Sequence, residues 1–165
     1  MSSLLEKLKK IPVVRPGPVV LKHAGPSDRY IDIKAAYGDP LLRAEIARAL
    51  WTLMPYKTTC VACSGHGGIP LAADLSRHME LKMTIVRGEP KPHGLNKMID
   101  GYIPTDNDQV AIVDDVCTTG ESLRKMIEIL TPTEATIRGC YVVVKRGEPN
   151  MTVPFHYLFK EDDFL

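Results

Sequence analysis

Four apolar residues, Val110-Ala111-Ile112-Val113, run directly into two adjacent acids, Asp114-Asp115, and then into Val116-Cys117-Thr118-Thr119-Gly120-Glu121-Ser122. A helical pattern follows at once, with Leu123, Met126, Ile127 and Leu130 at i, i+3, i+4 and i+7. This order constrains the chain more than any other feature. It predicts a buried strand ending in carboxylates, then a loop of small and hydroxyl residues that opens a helix. Ligands of open parallel sheets bind beyond the carboxyl ends of the strands. Two acids placed there accept hydrogen bonds from sugar hydroxyls. Backbone N–H groups and hydroxyls at a helix N-terminus favour an anion. The segment therefore predicts a site for a molecule that carries both a sugar and a phosphate. The chain has no G-x-x-x-x-G-K-[ST] loop, so the phosphate is held without the lysine of a nucleotide-hydrolysing cradle.

The rest of the chain supplies the scaffold. Its 165 residues make one ordinary domain, 1–165, and with 44% hydrophobic and 25% charged residues a conventional core is expected. A net charge of +1 gives no global field toward nucleic acid or a membrane surface. The first ten residues mix charges into apolar positions, unlike a signal peptide, and no apolar run is long enough to span a bilayer. Cys60, Cys63, Cys117 and Cys140 sit in or beside apolar stretches, as reduced thiols of a cytoplasmic protein do. Cys60-Val-Ala-Cys63 spells C-x-x-C, but it lies in a strand-like run and has no second pair.

Residues 4–8 read as a short amphipathic helix, and 19–22 and 29–34 as two strands around a turn at 24–28. Asp39-Pro40 is a cap followed by a first-turn proline, and Leu42, Ile46, Ala49, Leu50 and Leu53 share one face of the helix it opens. Strands are expected at 58–63, 82–86, 109–113, 137–144 and 155–159. A loop is expected at 64–68 with a helix over 69–79, and a long exposed loop over 87–101. Strands alternating with helices from Asp39 onward predict an α/β fold with a Rossmann-like parallel sheet flanked by helices.

Residues 110–122 resemble the phosphoribosyl-pyrophosphate (PRPP) signature of the type I phosphoribosyltransferases. Arg87-Gly-Glu-Pro-Lys-Pro-His-Gly94 resembles the mobile loop of the orotate branch of that family, with Ile99-Asp100-Gly101 following it. Lys22, Ser27, Tyr30 and Asp32 match the spacing of the family's early orotate-contacting segment. Gly68-Ile69-Pro70 resembles its pyrophosphate-facing loop, where His66 also lies, and Lys145-Arg146 falls where the family places a base-binding arginine. The matches run in family order from Lys22 to Arg146.

The resemblance implies the type I phosphoribosyltransferase fold, with a small hood built from residues 1–35 and the C-terminal tail. It implies transfer of the 5-phosphoribosyl group from PRPP to orotate, giving orotidine 5′-phosphate and pyrophosphate in pyrimidine (UMP) biosynthesis. Arg87, Lys91, His93 and Asp114 are then catalytic. Asp114, Asp115, Val116, Cys117, Thr118, Thr119, Gly120, Glu121 and Ser122 bind PRPP together with the loop cations. Lys22, Tyr30, Ile31, Thr118 and Arg146 face the base. Mg²⁺ enters with PRPP near Asp114 and Asp115 and has no direct protein cage. The family also implies a homodimer with shared active sites. The basic loop suits the task on physical grounds: closing cations over a leaving diphosphate excludes water and strengthens charge contacts. This chain departs from the family pattern at Gly67 and Gly88, where relatives carry basic residues, and at Pro26, Asp28 and Arg29. Two further readings stay open on sequence alone: a phosphoribosyltransferase for another base, and a PRPP-sensing regulator without catalysis.

Overall fold

A computed structural model describes residues 3–21, 25–94 and 97–165. Six strands form the main sheet: β3 (Cys60–Cys63), β4 (Lys82–Val86), β5 (Ile99–Gly101), β6 (Gln109–Cys117), β7 (Thr136–Lys145) and β8 (Phe155–Lys160), in the order β5-β4-β3-β6-β7-β8. All neighbours are parallel except β5, which runs antiparallel to β4. A separate two-stranded antiparallel sheet pairs β1 (Val14–Leu21) with β2 (Gly25–Ile31). Among the described residues there are four α-helices: α1 (Leu4–Lys9), α2 (Pro40–Trp51), α3 (Gly65–Met79) and α4 (Glu121–Leu130).

Strand parity explains the layering. Val61 and Cys63 of β3, with Ala111 and Val113 of β6, join the cluster that packs on α2 and α3 through Ile46, Leu50, Leu71 and Leu75. Cys60 and Ala62, with Val110 and Ile112, join the opposite cluster under α4, through Leu123, Met126 and Leu130. Successive side chains of a strand point to opposite faces, so a continuous apolar run needs helices on both sides. The same parity decides the C-x-x-C pair. Cys60 and Cys63 are an odd number of residues apart and lie in different clusters, so one metal or one disulfide cannot hold both. Burial raises all four free thiols, Cys60 and Cys117 to about 11 and Cys63 and Cys140 to about 12.

The Asp39 carboxylate caps α2, accepting from the N–H groups of Leu41 at 2.9 Å and Leu42 at 3.2 Å. Trp51 packs against the first cluster. Several boundaries differ from expectation. The loop expected at 64–68 is the first turn of α3, which begins at Gly65 and carries Pro70 inside it. Pro70 falls in the second turn, near enough to the N-terminus to lose little hydrogen bonding. The strand expected over 29–34 ends at Ile31, and Ile33–Gly38 is a 3₁₀ helix. Residues 25–28, expected as turn, are strand, and β1 passes through Pro16 and Pro18 with a register shift between Pro16 and Val19. A two-stranded sheet tolerates proline because each strand has an edge free of ladder bonds. The long loop after β4 is shortened by β5, and β6 extends four residues beyond Val113, so that Asp114 and Asp115 lie within the strand.

Asp108, just before β6, is 1% exposed and was not singled out by the sequence. Its carboxylate accepts from Tyr102 Oη at 2.7 Å, Lys82 Nζ and Thr59 Oγ1 at 3.0 Å, and the Thr105 N–H at 3.0 Å. It ties the amino ends of β3, β4 and β6 together. No helix among the described residues is long and apolar enough to cross a membrane.

Candidate active site

Because β3, β4, β6 and β7 are parallel, their carboxyl ends lie at one end of the sheet. The segments that follow them are the start of α3, the basic loop, residues 118–120 and the stretch after Lys145. The chain leaves β3 toward β4 on one side and β6 toward β7 on the other, so the strand order reverses between β3 and β6. A crevice at such a reversal is where doubly wound sheets bind ligands.

The acid pair fills this crevice. The Asp115 carboxylate lies over Gly67 in the first turn of α3, so close that a Cβ on residue 67 would sit 2.3 Å from Oδ1. A side chain at residue 67 would need this carboxylate to move. Lys34 of the 3₁₀ helix reaches Asp115 Oδ2 at 3.2 Å and Asp32 Oδ1 at 3.3 Å, and Asp32 Oδ2 meets Arg15 of β1 at 3.0 Å. Tyr37 Oη donates to the Gly67 carbonyl at 2.7 Å. Desolvation pushes the Asp114 carboxyl well above its usual range, and the like charge of Asp115 adds to the effect. Desolvation opposes the Lys34 ammonium, but the charge of Asp115 and hydrogen bonds to Tyr30 and Asp115 outweigh it and raise its pKa. Burial, with three nearby carboxylates, keeps Tyr37 a neutral phenol.

Beyond the acids, Thr118 and Thr119 lead to Gly120, which caps α4 with φ 78°. L side chains avoid this conformation, and a Cβ there would also meet Met151 Sδ at 2.9 Å. Arg124 braces the turn by donating to the carbonyls of Thr119 at 2.9 Å and Asn150 at 3.0 Å. Val116 and Thr118 are half-buried, Cys117 is buried, and Glu121 and Ser122 are exposed on the first turn. This places hydroxyls and backbone N–H groups at a helix N-terminus, where a phosphate is favoured.

The basic loop is not gathered onto the acids. Arg87 Nη1 lies 2.9 Å from Asp100 Oδ2, and Lys91 pairs with the other oxygen of the same carboxylate. These two cations hold the Asp100 carboxyl below its ordinary value. His93 is exposed. Lys125 of α4 donates to the Gly88 carbonyl at 3.1 Å, beside a cavity of about 200 Å³ lined by Ser64, Arg87, Glu121, Ser122 and Met126.

Of the residues expected at the base, Lys22 lies outside the described residues. Tyr30 is half-buried beside Lys34, 3.4 Å from its ammonium. Ile31 is 2% exposed and packs in the core. Arg146 reaches the hairpin, donating to the Arg29 carbonyl, while its Nε lies 3.2 Å from Glu161. A cavity of about 340 Å³ opens beside it, lined by Lys145, Arg146, Glu148, Lys160, Glu161 and Asp162. His66 is exposed on the first turn of α3.

Sequence reasoning missed Lys34, Tyr37 and Asp100 as members of this network. Lys34 read as the end of a strand, and its only signal was a cation closing an alternating run. Asp100 lies in Ile99-Asp100-Gly101, and nothing in that pattern indicates its two partners.

Residues 36–162 match the family model described as the phosphoribosyl transferase domain. The chain belongs to this family. It is 32% identical over 145 residues to the orotate phosphoribosyltransferase of Methanothermobacter thermautotrophicus, covering 88% of this chain and 79% of that protein. Identity to the Aeropyrum pernix orotate phosphoribosyltransferase is 34% over 151 residues, covering 88% of this chain and 78% of the relative. The crystal structure of orotate phosphoribosyltransferase from Aeropyrum pernix superposes with a TM-score of 0.84 at 30% identity, over 99% of this chain and 96% of that one. The Trypanosoma brucei adenine phosphoribosyl transferase, in complex with AMP, pyrophosphate and ribose-5-phosphate, shares the fold at a TM-score of 0.74 and 16% identity, over 98% of this chain and 81% of that one.

Proposed function

We propose that this chain is an orotate phosphoribosyltransferase, moving the 5-phosphoribosyl group of PRPP onto orotate to give orotidine 5′-phosphate and pyrophosphate, a step of pyrimidine (UMP) biosynthesis. The observation that carries the reading is the crevice between β3 and β6. There an acid pair meets the first turn of α3, and the glycine-capped N-terminus of α4 lies beyond it. Relatives named for the orotate reaction, 30 to 34% identical over most of the chain, support the choice of base.

Asp114 and Asp115 accept hydrogen bonds from the ribose hydroxyls, and residues 118–122 hold the 5′-phosphate through N–H groups and hydroxyls. Arg87 and Lys91 leave Asp100 and, with His93, close over the diphosphate, where Lys91 or His93 donates to the departing oxygen. Closure also excludes water from the donor. Orientation of the base falls to Tyr30, Thr118 and Arg146, the last exchanging Glu161 for the orotate carboxylate, with Lys22 assigned the same role from the resemblance. Among the described residues no cluster of three His, Cys, Asp or Glu side chains forms a metal cage. Asp114 and Asp115 instead fit Mg²⁺ as an ion held by one or two carboxylates, water and substrate phosphates. When bound it supplies charge neutralisation on the leaving diphosphate.

The family resemblance adds a homodimer in which each loop serves the partner's site. Four free, buried thiols suit the cytoplasm. The deciding experiment is a steady-state assay with PRPP and a panel of bases, following pyrophosphate release. Orotate is expected to be consumed in preference to purines. Turnover of a purine but not orotate would replace the base assignment, and PRPP binding without pyrophosphate release from any base would establish a sensor.

A further inference from the structure

Residue 67 is glycine and carries no cation in this chain, and the Asp115 carboxylate occupies the space next to it. A cation reaches the same carboxylate from elsewhere. Lys34 Nζ stands 3.2 Å from Asp115 Oδ2, the oxygen that a Cβ on residue 67 would approach to 2.7 Å. The Lys34 side chain is 35% exposed and the Asp115 side chain 13%, so the ammonium is the more accessible partner.

The element that bears Lys34 is built to hold it there. Tyr37, one turn on in the same 3₁₀ helix, donates to the Gly67 carbonyl, which fixes the helix against the start of α3. Asp32 flanks Lys34 at 3.3 Å and is itself tied to Arg15. One oxygen of Asp32, Oδ1, is buried without a hydrogen bond, so Lys34 is the charge that compensates it. Lys34 and the first turn of α3 both border the Asp115 carboxylate, and an ammonium and a helix N-terminus each favour an anion.

We propose that Lys34 is a diphosphate-binding residue of this site: it moves from Asp115 to the diphosphate of the donor and frees Asp115 for the ribose hydroxyls. The proposal rests on the phosphoribosyltransferase reading. It assigns to the 3₁₀ helix the charge that glycine at position 67 withholds.

The test compares Lys34→Ala and Lys34→Arg with wild type by calorimetric titration of inorganic pyrophosphate and, separately, of ribose 5-phosphate, with thermal melts as a check on folding. A charge-assisted contact is worth enough that Lys34→Ala is expected to weaken pyrophosphate binding by roughly tenfold or more. Ribose 5-phosphate affinity should stay near wild type, and Lys34→Arg should recover most of the loss. In steady state the KM for PRPP should rise more than kcat falls. Equal loss for both ligands would mean that Lys34 only positions Asp115, and unchanged pyrophosphate affinity would leave it no role; either result overturns the proposal. A wild-type protein that binds neither ligand would overturn the phosphoribosyltransferase reading itself, a different outcome from wild-type binding that Lys34→Ala leaves intact.

Discussion

Asp114 shows how a single residue trades stability for function. Its folded pKa is raised above 3.8 by desolvation first and by Asp115 second. The folded state therefore holds this proton more tightly than the unfolded state does. By linkage, the stability associated with it is fully present below the unfolded value and is lost as pH rises through the folded one. At any pH above the unfolded value this carboxyl is a net cost to stability. Asp114→Asn is expected to raise the melting temperature at pH 7 to 8, with the gain shrinking as pH is lowered toward 3.8, while kcat/KM falls by roughly a hundredfold. A melting-temperature gain that is constant across this range would show that the carboxyl does not titrate as described. Asp115, one residue on, has Lys34 as its counter-charge. The difference between the neighbours comes from which side of the strand each faces. The sequence reveals that two acids stand together, but only their surroundings separate a strained one from a compensated one.

At the scale of elements, the sheet is fastened at the end opposite the site. Asp108 accepts hydrogen bonds from Thr59 just before β3, from Lys82 of β4 and from the β5–β6 connection, and these contacts draw its carboxyl far below the usual range despite the cost of burial. A depressed acid contributes stability above its unfolded pKa and loses it as pH falls through the folded one. Asp108→Ala is expected to cost about 3 kcal/mol near neutrality, because it leaves buried donors unmatched. In urea unfolding the difference from wild type should be full above about pH 5 and narrow on acidification; a pH-independent difference would sink the account. Elements were legible where pattern and caps agreed: Asp39-Pro40 marks the start of α2, and apolar spacing marks α4. They were misread where a small-residue run could take either form. Ser64-Gly65-His66-Gly67-Gly68 has the composition of a loop, yet it supplies the first turn of α3, because packing of Leu71, Ala72 and Leu75 and the close approach of Asp115 outweigh glycine's poor helix propensity. Likewise β5 is three residues paired to β4, too short to show alternation.

For the whole molecule, the proposed sharing of sites between protomers has a direct consequence. Lys91→Ala and Asp114→Asn subunits should each be nearly inactive alone. Unfolded and refolded together in equal amounts, they should recover about a quarter of wild-type activity, since half the dimers are mixed and each mixed dimer holds one intact site of two. Recovery that stays at the level of the separate variants would show that each chain's loop serves its own site. The run from Val110 to Val113, the acids after it and the small loop before α4 determined by themselves a buried parallel strand with a sugar- and phosphate-binding end, because hydrophobic period, helix capping and charge are properties of neighbours in the chain. Cys60 and Cys63 were likewise assigned to a strand from their local context. What only the tertiary structure decided was which distant residues meet there: Lys34 on Asp115, Tyr37 on Gly67, Arg87 and Lys91 on Asp100, and Arg146 on Glu161. These contacts join residues from 9 to 81 positions apart, and they depend on strand order, on the left and right turns of the chain at β3 and β6, and on the face each side chain takes. No local pattern encodes that geometry, because it exists only once the sheet has closed.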